Sequence, residues 1–372
     1  MMTFRCAFAL AFALSILSSG STFAQSQTSE QGSVQGGGTT AGNPKLVETG
    51  IPGVRALALP PAGFSIKTAT DEELNAYGIP PRPNEDKNPQ EYGDWLRKFS
   101  KTRIMPELKI NPNVVHAPAA IKKIETKTPS NQIAYSDNWS GYVITDPTNM
   151  FRTPGTRISA VFPQPKAISG CTMGPGDYHA SFWVGIDGWG SNDVLQVGTE
   201  LELNCGSGVN NYGWIEWYDS VNKNPEIQIT NMPVGPGDLV EADVWLEDNG
   251  FGGNAYVLLF SVGAQMVGLS LSPPPGVALI GNCVEWIAER PTVNGAYSNL
   301  TNFLLMPWFS VNTVVPANGL QVRPSKLPLT STLFTVNMDQ SPHVGVSRPL
   351  LYPGSYPDQW DDGILFVTTL PY

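Results

Sequence analysis

The sequence has few basic residues, and the shortage is concentrated after residue 130. Residues 131–372 contain 8 Lys and Arg against 21 Asp and Glu, whereas residues 25–130 contain 13 against 11. Nucleic acids and anionic membranes attract proteins through clusters of Lys and Arg, so neither is an expected partner of the acidic region. An acidic chain also gains little positive charge when its carboxylates protonate, which suits an acidic environment but equally suits ordinary solubility.

Apolar runs long enough to cross a membrane are lacking as well. The apolar run at residues 7–17 is too short to span a bilayer. It follows Arg5 and precedes small residues that end at Ala24, which is the pattern of a cleavable secretory signal; an uncleaved anchor is the alternative. We therefore predict a signal peptide at residues 1–24 and a protein secreted to the extracellular space or the periplasm, without membrane association.

Cysteine is scarce: the chain has four, and Cys6 falls in the predicted signal. In an oxidising compartment the other three allow one disulfide and one free thiol, in three possible pairings. Cys171 and Cys205 lie in glycine-rich turn segments, whereas Cys283 lies in a strand-like run. The Cys171–Cys205 pairing is therefore favoured.

The signatures of several common catalytic centres are absent. The sequence contains no HExxH, C-x-x-C, G-x-S-x-G, Asp-Thr-Gly or glycine-rich phosphate loop. After residue 130 the histidines are His179 and His343, each predicted to be a lone surface or turn residue. Asp358, Asp361 and Asp362 are predicted to form a polar turn rather than a calcium site. We expect no metal and no cofactor.

Residues 25–130 have the character of a prosegment, partly helical and removable. Residues 25–43 are rich in Gly, Ser, Thr and Gln and predict a flexible leader. Short helices are predicted to start at Asp71 and near Pro89. The second presents the apolar stripe Tyr92, Trp95, Leu96 and Phe99, which is too small to form its own core and must pack on the downstream domain.

From about residue 135 onward, short β-type runs alternate with Gly, Pro, Asn and Asp. Regular strands without intervening helices predict one antiparallel sandwich or barrel at residues 131–372. The predicted strands are residues 139–145, 157–162, 181–187, 193–199, 212–218, 238–246, 255–261, 282–289 and 364–370.

Four of these strands place aromatic, carboxyl or amide side chains on a single face, by the two-residue period of a strand. This face carries Trp183, Asp187, Gln196, Glu200, Trp214, Glu216, Glu285 and Glu289, and no Lys or Arg. Aromatic contact area with a few orienting polar groups is typical of a cleft that binds a polymer. A half-exposed sheet with incidental carboxylates is the alternative.

Five motifs occur here in the order found in the glutamic peptidases, the eqolisin family, which the sequence resembles from about residue 138 to residue 289. They are Asn138-Trp-Ser-Gly141, Trp183-Val-Gly-Ile-Asp-Gly188, Leu195-Gln-Val-Gly198, Trp214-Ile-Glu-Trp-Tyr218 and Glu285-Trp-Ile-Ala-Glu289. The resemblance implies a concanavalin A-like, jelly-roll β-sandwich, secretion as a zymogen, and endopeptidase activity in acid. The expected partners are protein or peptide substrates and the protein's own prosegment as an intramolecular inhibitor, and a monomer is expected.

Carried over by position, Gln196 corresponds to the catalytic glutamine and Glu289 to the catalytic glutamate. Trp183, Asp187, Trp214 and Glu216 match positions that line the substrate cleft, and Glu285 shares their face and is added to the predicted substrate-binding residues. Tyr212 replaces an acidic residue, Ile215 replaces an aromatic one, and the cysteine pattern differs. These departures leave the substrate preference and the acid optimum open.

The chemistry of this pair is sensible on its own terms. A carboxylate can activate water and return the proton to the leaving amine, while an amide N–H₂ can stabilise a tetrahedral oxyanion. The alternatives are a glycoside hydrolase that pairs Glu216 with Glu289, or a lectin-like binding protein. Glu285 cannot replace Glu216 in that pair, since it lies four residues from Glu289 on one strand, about 13 Å away.

For the zymogen we expect the basic prosegment to lie on the acidic domain, with Tyr92, Trp95 and Phe99 covering or approaching the cleft. Acid would weaken the attraction and lead to self-cleavage between residues 121 and 135.

Overall fold

The computed structural model describes residues 44–168, 177–205, 208–246, 256–315, 320–339, 347–353 and 362–368. The predicted signal peptide and leader lie outside these residues, as do Cys171, His343, Asp358 and Asp361. In the described part of the chain, no helix is both long and apolar enough to cross a membrane.

Residues 44–130, here called the N-terminal segment, contain both predicted helices. They are α1 (Asp71–Asn75) and α2 (Pro89–Phe99). A capping box between Thr70 and Glu73 starts α1, and a proline in the first turn starts α2. The same segment also forms short strands that the sequence did not predict. They are β1 (Leu46–Glu48), β2 (Val54–Leu57), β3 (Thr102–Arg103), β4 (Leu108–Ile110), β5 (Val114–Val115) and β6 (Ile121–Thr128).

Residues 131–372, here called the β-domain, are built from strands. They are β7 (Asn131–Ser136), β8 (Trp139–Thr145), β9 (Arg157–Pro163), β10 (Asp177–Asp187), β11 (Asp193–Asn204), β12 (Gly208–Asp219), β13 (Ile227–Pro233), β14 (Leu239–Leu246), β15 (Tyr256–Val262), β16 (Gln265–Leu271), β17 (Cys283–Glu289), β18 (Thr292–Val293), β19 (Ala296–Tyr297), β20 (Asn299–Leu300), β21 (Leu305–Val315), β22 (Leu320–Val322), β23 (Thr332–Met338), β24 (Ser347–Tyr352) and β25 (Asp362–Thr368). Each of the nine predicted runs coincides with one of these strands, with ends shifted by a few residues.

The strands form two layers, which confirms the predicted antiparallel sandwich. The front sheet runs β4–β13–β12–β11–β10–β17–β8–β23–β7–β6, with only the β23–β7 pairing parallel. The back sheet runs β22–β21–β9–β14–β15–β16–β2–β1. Strand β21 links the layers, because its first half pairs with β25.

The main core lies between the two sheets. Front-sheet residues such as Phe182, Val197 and Ile215 pack there against back-sheet residues such as Val244 and Phe260. Alternate residues of the front strands therefore point away from the core, on what is here called the cleft face. That face holds a second buried cluster, which includes Trp139, Trp183 and Trp214, with Val115, Ala117 and Ala119 of the N-terminal segment packed on it.

Helix α2 lies on the outer surface of the back sheet, and the expectation that its apolar stripe covers the cleft is wrong. Trp95 and Phe99 form a third cluster with α1 and with Met266 of β16, and Trp245 of β14 packs against it. The helix places Lys98 next to two carboxylates on the outer face of the back sheet.

This face carries the acids Glu241 and Asp243, which form ion pairs with the N-terminal segment. Lys98 is 2% exposed and bonds to Asp243 and, at 3.0 Å, to Glu241. Arg97 and Lys101 lie 2.9 and 2.7 Å from Glu241. Buried acids are tolerated only when paired, so the N-terminal segment supplies charges that the back sheet needs.

Lys98→Met should therefore destabilise the full-length protein far more than a surface exchange. Removing one partner of a buried ion pair costs up to about 3–5 kcal/mol, and here Arg97 and Lys101 beside Glu241 and Arg157 beside Asp243 offset part of that cost. The matched control is Lys87→Met at an exposed position, with an expected change within about 0.5 kcal/mol. Urea unfolding at neutral pH measures both, and equal losses would contradict the role given to Lys98.

Candidate active site

The register of the front sheet arranges the predicted site residues in three adjacent rows. Opposite residues on paired strands lie side by side, and every second residue faces the cleft. The rows, read from β12 through β11 and β10 to β17, are Glu216, Gln196, Gly185 and Glu285; Trp214, Gly198, Trp183 and Ile287; and Tyr212, Glu200, Ser181 and Glu289.

A glycine, Gly198, lies between the two tryptophans of the middle row, because the neighbouring strand leaves no room for a side chain there. A Cβ added at Gly198 would lie 2.2 Å from the carbonyl oxygen of Phe182 and 2.5 Å from Cβ of Trp183. Any larger residue would therefore push the strand away from its neighbour. Only glycine therefore fits between Trp214 and Trp183, and Val115, Ala117 and Ala119 of the N-terminal segment pack on the cluster that contains both tryptophans.

That segment runs through the cleft as an extended chain held by backbone contacts. The contacts are Glu226 N–H to Val114 O at 3.1 Å, His116 N–H to Glu216 Oε2 at 3.0 Å, Gln196 Nε2 to His116 O at 2.8 Å, Trp139 Nε1 to Ala117 O at 3.1 Å, Ala119 N–H to Gly188 O at 3.3 Å and Ala120 N–H to Asn138 Oδ1 at 2.8 Å. Strand β5, just before His116, pairs with β18 and guides the chain into place.

The His116 side chain is the centre of the site. Its ring stacks on Trp214, with centroids 3.7 Å apart and planes inclined by 5°. Its Nε2 lies 3.0 Å from Glu226 Oε2, and its Nδ1 lies 3.5 Å from Glu289 Oε2. The first distance is a hydrogen bond, and the second is an ion-pair contact too long for one. Burial alone would lower the pKa of His116, but Glu226, Glu289 and Glu216 together raise it well above 6.5.

Gln196 and Glu216 clamp the backbone of the same residue. Gln196 Nε2 donates to the His116 carbonyl oxygen and also lies 3.2 Å from Glu216 Oε2. Burial raises the pKa of Glu216 well above its ordinary value, and the nearby His116 opposes this shift. Gln196 thus has an amide donor directed at a peptide carbonyl, in a site without bulk water contact, where such a donor acts most strongly.

Glu289 lies beside the His116 ring and is held there by two donors of the β-domain. Trp183 Nε1 donates to Oε2 at 2.8 Å, and Asn138 Nδ2 donates to Oε1 at 3.4 Å. Burial raises the pKa of Glu289, while His116 and Trp183 oppose the shift. A carboxyl group fixed in this way can exchange a proton with a neighbouring water or amine.

The structure therefore brings Gln196, Glu289, Trp214 and Glu216 together around His116. Trp183 donates a hydrogen bond to Glu289. Asp187 has a different position. Its carboxylate accepts hydrogen bonds from the backbone of Ile280, Gly281 and Asn282 at 2.7–3.1 Å, which fixes the loop before β17.

Glu285 lies in the same row as Glu216 and Gln196 and is fully buried. Neither of its carboxyl oxygens has a hydrogen-bond partner at normal distance within the described residues. Burial raises its pKa well above the ordinary value, and Asp187 adds to the shift, while the adjacent Cys283 thiol opposes it. Glu285 makes no hydrogen bond to the segment that fills the cleft, so its predicted contact with substrate stays a prediction.

Sequence reasoning missed two residues that line the site, His116 and Glu226, and it placed Glu200 on the cleft face without giving it a role. His116 falls in the segment predicted to be removed, so the histidine search after residue 130 did not include it. Glu226 lies just before β13, so the alternation of side chains along a strand does not predict which way it points. Glu200 bonds to His179 Nδ1 at 2.9 Å, and the prediction that His179 is a lone surface or turn histidine is wrong, since it is 2% exposed within β10.

His116, Glu200 and Glu226 have ligand atoms within 4.8 Å of one another, close enough to bind a cation. The two carboxylates are nevertheless paired within the protein. Glu200 bonds to His179 and Ser181, and Glu226 bonds to His116. The carboxylates are therefore satisfied without a metal ion.

The two described cysteines differ in state. Cys205 forms a disulfide, and Cys283 is free and buried in β17. Cys171, the predicted partner of Cys205, lies outside the described residues, so the pairing itself stays a prediction.

Comparison with known proteins matches the β-domain to one peptidase family. The model of the peptidase A4 family matches residues 137–343. Similar solved structures include SCP-B, a member of the eqolisin family of peptidases in a complex with the tripeptide Ala-Ile-His, at 19% identity and a TM-score of 0.37, covering 50% of this chain and 82% of that chain. Aspergilloglutamic peptidase from Aspergillus niger has 19% identity and a TM-score of 0.40, covering 52% and 99%. No curated protein gives a significant match.

His116→Gln should lower the stability of the full-length protein in a pH-dependent way. Because the pKa of His116 is raised in the folded state, its charged form contributes stability that is full below its ordinary pKa and is lost as the pH rises through the raised value. Glutamine is uncharged throughout. The difference in free energy of unfolding between the two proteins should therefore shrink above about pH 6.5, by up to about 1.4 kcal/mol per pH unit.

Thermal unfolding at several pH values from about 6 to 9 measures this difference. Lys87→Gln, at an exposed position, is the control and should give a constant difference across the range. A His116→Gln difference that stays constant or grows with pH would show that the imidazole is uncharged in the cleft.

Proposed function

The chain belongs to the peptidase A4 family and is a peptidase, and we propose that it is a secreted, acid-acting endopeptidase with a Gln196/Glu289 dyad, made as a zymogen. The family assignment decides against the glycoside hydrolase and the lectin-like alternatives. Signal removal, acid action and inhibition by residues 25–130 as a prosegment belong to the proposal.

One observation carries the dyad: Gln196 donates to a peptide carbonyl at 2.8 Å, while Glu289 lies beside the same residue. In hydrolysis, Glu289 takes a proton from a water molecule that attacks this carbonyl carbon. The carbonyl oxygen becomes an oxyanion, and the Gln196 amide stabilises it without giving up a proton. Glu289 then returns the proton to the leaving amine.

The neighbouring side chains support these roles by position. Trp183 and Asn138 donate to separate oxygens of Glu289, which fixes its orientation. Glu216 accepts from the backbone N–H of His116 and lies next to the Gln196 amide. Its raised pKa favours a neutral carboxyl, which avoids placing a second negative charge beside the developing oxyanion.

Inhibition by the prosegment is supported by what fills the cleft. Residues 114–120 occupy the space in front of Gln196, and the His116 imidazole lies 3.5 Å from Glu289. The substrate path is therefore closed by the extended chain, whereas α2 anchors the prosegment on the opposite sheet.

Acid would weaken that anchor through Glu241 and not through Asp243, because burial raises the pKa of Asp243 to about 6. Burial alone would raise the pKa of Glu241, but Arg97 and Lys101 outweigh burial and lower it. The stability from a lowered carboxyl pKa is present above its ordinary value and lost as the pH falls through the lowered value. The raised pKa values of Glu216 and Glu289 act in the opposite sense, so the cleft contacts themselves are not the ones that acid weakens.

Glu289→Gln and Gln196→Ala should each fold normally and lose nearly all hydrolysis of casein in acid. Loss of a general base costs about 10²–10⁴-fold, and loss of one oxyanion donor about 10²–10³-fold. Controls are Glu202→Gln on β11, whose carboxylate accepts from Asn210 and not from the segment that fills the cleft, and Gln265→Ala on β16 of the back sheet, and both should stay active. Circular dichroism checks the fold, and either dyad variant retaining more than about a tenth of the wild-type rate would remove that residue from the mechanism.

Glu241→Gln should allow acid processing of the purified precursor at a higher pH than wild type requires, because the charge that acid must remove is already gone. Gel electrophoresis across a pH series measures the onset, with Glu202→Gln as the matched control. The Glu289→Gln precursor, incubated alone, should remain intact at every pH. Unaided processing of that variant would exclude self-cleavage.

A further inference from the structure

We propose that the cleft contains a subsite for a histidine side chain, made by Trp214 and Glu226, and that the enzyme preferentially hydrolyses the peptide bond after histidine, including its own His116–Ala117 bond. The inference rests on the proposed endopeptidase function and specifies its substrate and its self-cleavage point.

The backbone of residues 116–117 is bound in the register of a substrate. Gln196 holds the His116 carbonyl oxygen at 2.8 Å, and Trp139 and Asn138 hold the next carbonyl, of Ala117, at 3.1 and 3.3 Å. The peptide bond between them thus lies between the proposed oxyanion donor and the two residues that flank Glu289. Among the described residues, no other carbonyl oxygen in the cleft accepts a hydrogen bond from the side-chain amide of Gln196.

Hydrolysis at this bond adds one water molecule. Its hydroxyl goes to the carbonyl carbon of His116 and its other proton goes, through Glu289, to the nitrogen of Ala117 as the C–N bond breaks. The products are a chain that ends in the His116 carboxyl and a chain that starts at the Ala117 amine. This position precedes the window of residues 121–135 expected from sequence.

The pocket for the side chain before the bond has the shape and charge of an imidazolium acceptor. Trp214 covers one flat face of the ring in a parallel stack, which favours a planar cation. Glu226 and Glu289 lie at the two ring nitrogens, 3.0 and 3.5 Å away. A protonated imidazole has a donor at each nitrogen and matches both acids.

Two residues of the β-domain orient Glu226 for this contact. Tyr212 Oη and Gln228 Nε2 donate to its Oε1 at 2.8 and 3.2 Å, which leaves Oε2 facing the ring. The side chain is fully buried. A Leu or Phe in the pocket would leave that oxygen buried without a donor, which is costly, and a Lys would lose the stacking on Trp214.

The first experiment uses activated wild-type enzyme and a synthetic peptide of residues 113–120, with His, Leu, Phe or Lys at the position of His116. At about pH 5, where a free imidazole is charged, the His peptide should be cut after His with kcat/KM at least about tenfold higher than the others, since an unpaired buried group costs 1–3 kcal/mol. Equal or higher rates for any of the other three would overturn the proposal.

Casein hydrolysis is measured in parallel to separate two kinds of failure. No casein hydrolysis means that the proposed peptidase mechanism fails, whereas casein hydrolysis without preference for His means that only the subsite fails. In Glu226→Gln the ratio of kcat/KM for the His peptide to that for the Leu peptide should fall at least about tenfold, whereas Glu202→Gln should keep the wild-type ratio. An unchanged preference in Glu226→Gln would overturn the role of Glu226.

Mass spectrometry and N-terminal sequencing of the acid-treated precursor test the self-cleavage point. The first new N-terminus should be Ala117. In a His116→Leu precursor this cut should slow by at least about tenfold relative to wild type, while casein added with active enzyme is still hydrolysed. A first N-terminus between residues 121 and 135, or an undiminished cut in His116→Leu, would overturn it.

Discussion

The burial of several carboxyl groups around one imidazole is the interaction on which the site depends. Glu216, Glu226 and Glu289 are fully buried on the cleft face, and water cannot satisfy them there. Buried carboxyl groups need donors, and His116 supplies a backbone N–H and two ring nitrogens in a single residue. The cleft can therefore be closed by an extended chain that brings donors, but not by an apolar helix surface, which would bring none.

The same requirement is met a second time on the other side of the sandwich. Glu241 and Asp243 lie on the outer face of the back sheet and receive Lys98, with Arg97 and Lys101 beside it. One N-terminal segment thus provides donors for both outward faces of an acidic domain. The uneven distribution of Lys and Arg along the chain, with 13 in residues 25–130 against 8 in residues 131–372, has a structural reason in these contacts.

The strands and their faces could be predicted, because side chains alternate between the two sides of a sheet, and a sheet with two different sides shows this alternation in its sequence. The row that contains Gln196 and Glu216 was implicit in that pattern. The location of α2 was not predictable, since an apolar stripe shows that one side is buried but not which surface buries it. His116 gave no periodic signal, because it lies in a short extended stretch next to a two-residue strand. The pairing of His179 with Glu200 depends on the register between two strands, which neither strand shows alone.

Strands β2, β3 and β4 have a consequence for the protein after its N-terminal segment has left. Strand β4 covers the free side of β13, and β2 and β3 cover the free side of β16. Among the described residues, no other strand pairs with β13 on the side that β4 covers, or with β16 on the side that β2 and β3 cover. Uncovered edges present rows of unpaired N–H and C=O groups, which pair readily with any extended chain. The N-terminal segment therefore also shields two surfaces prone to aggregation, and a shortened protein must tolerate, or cover by association, the edges that it exposes.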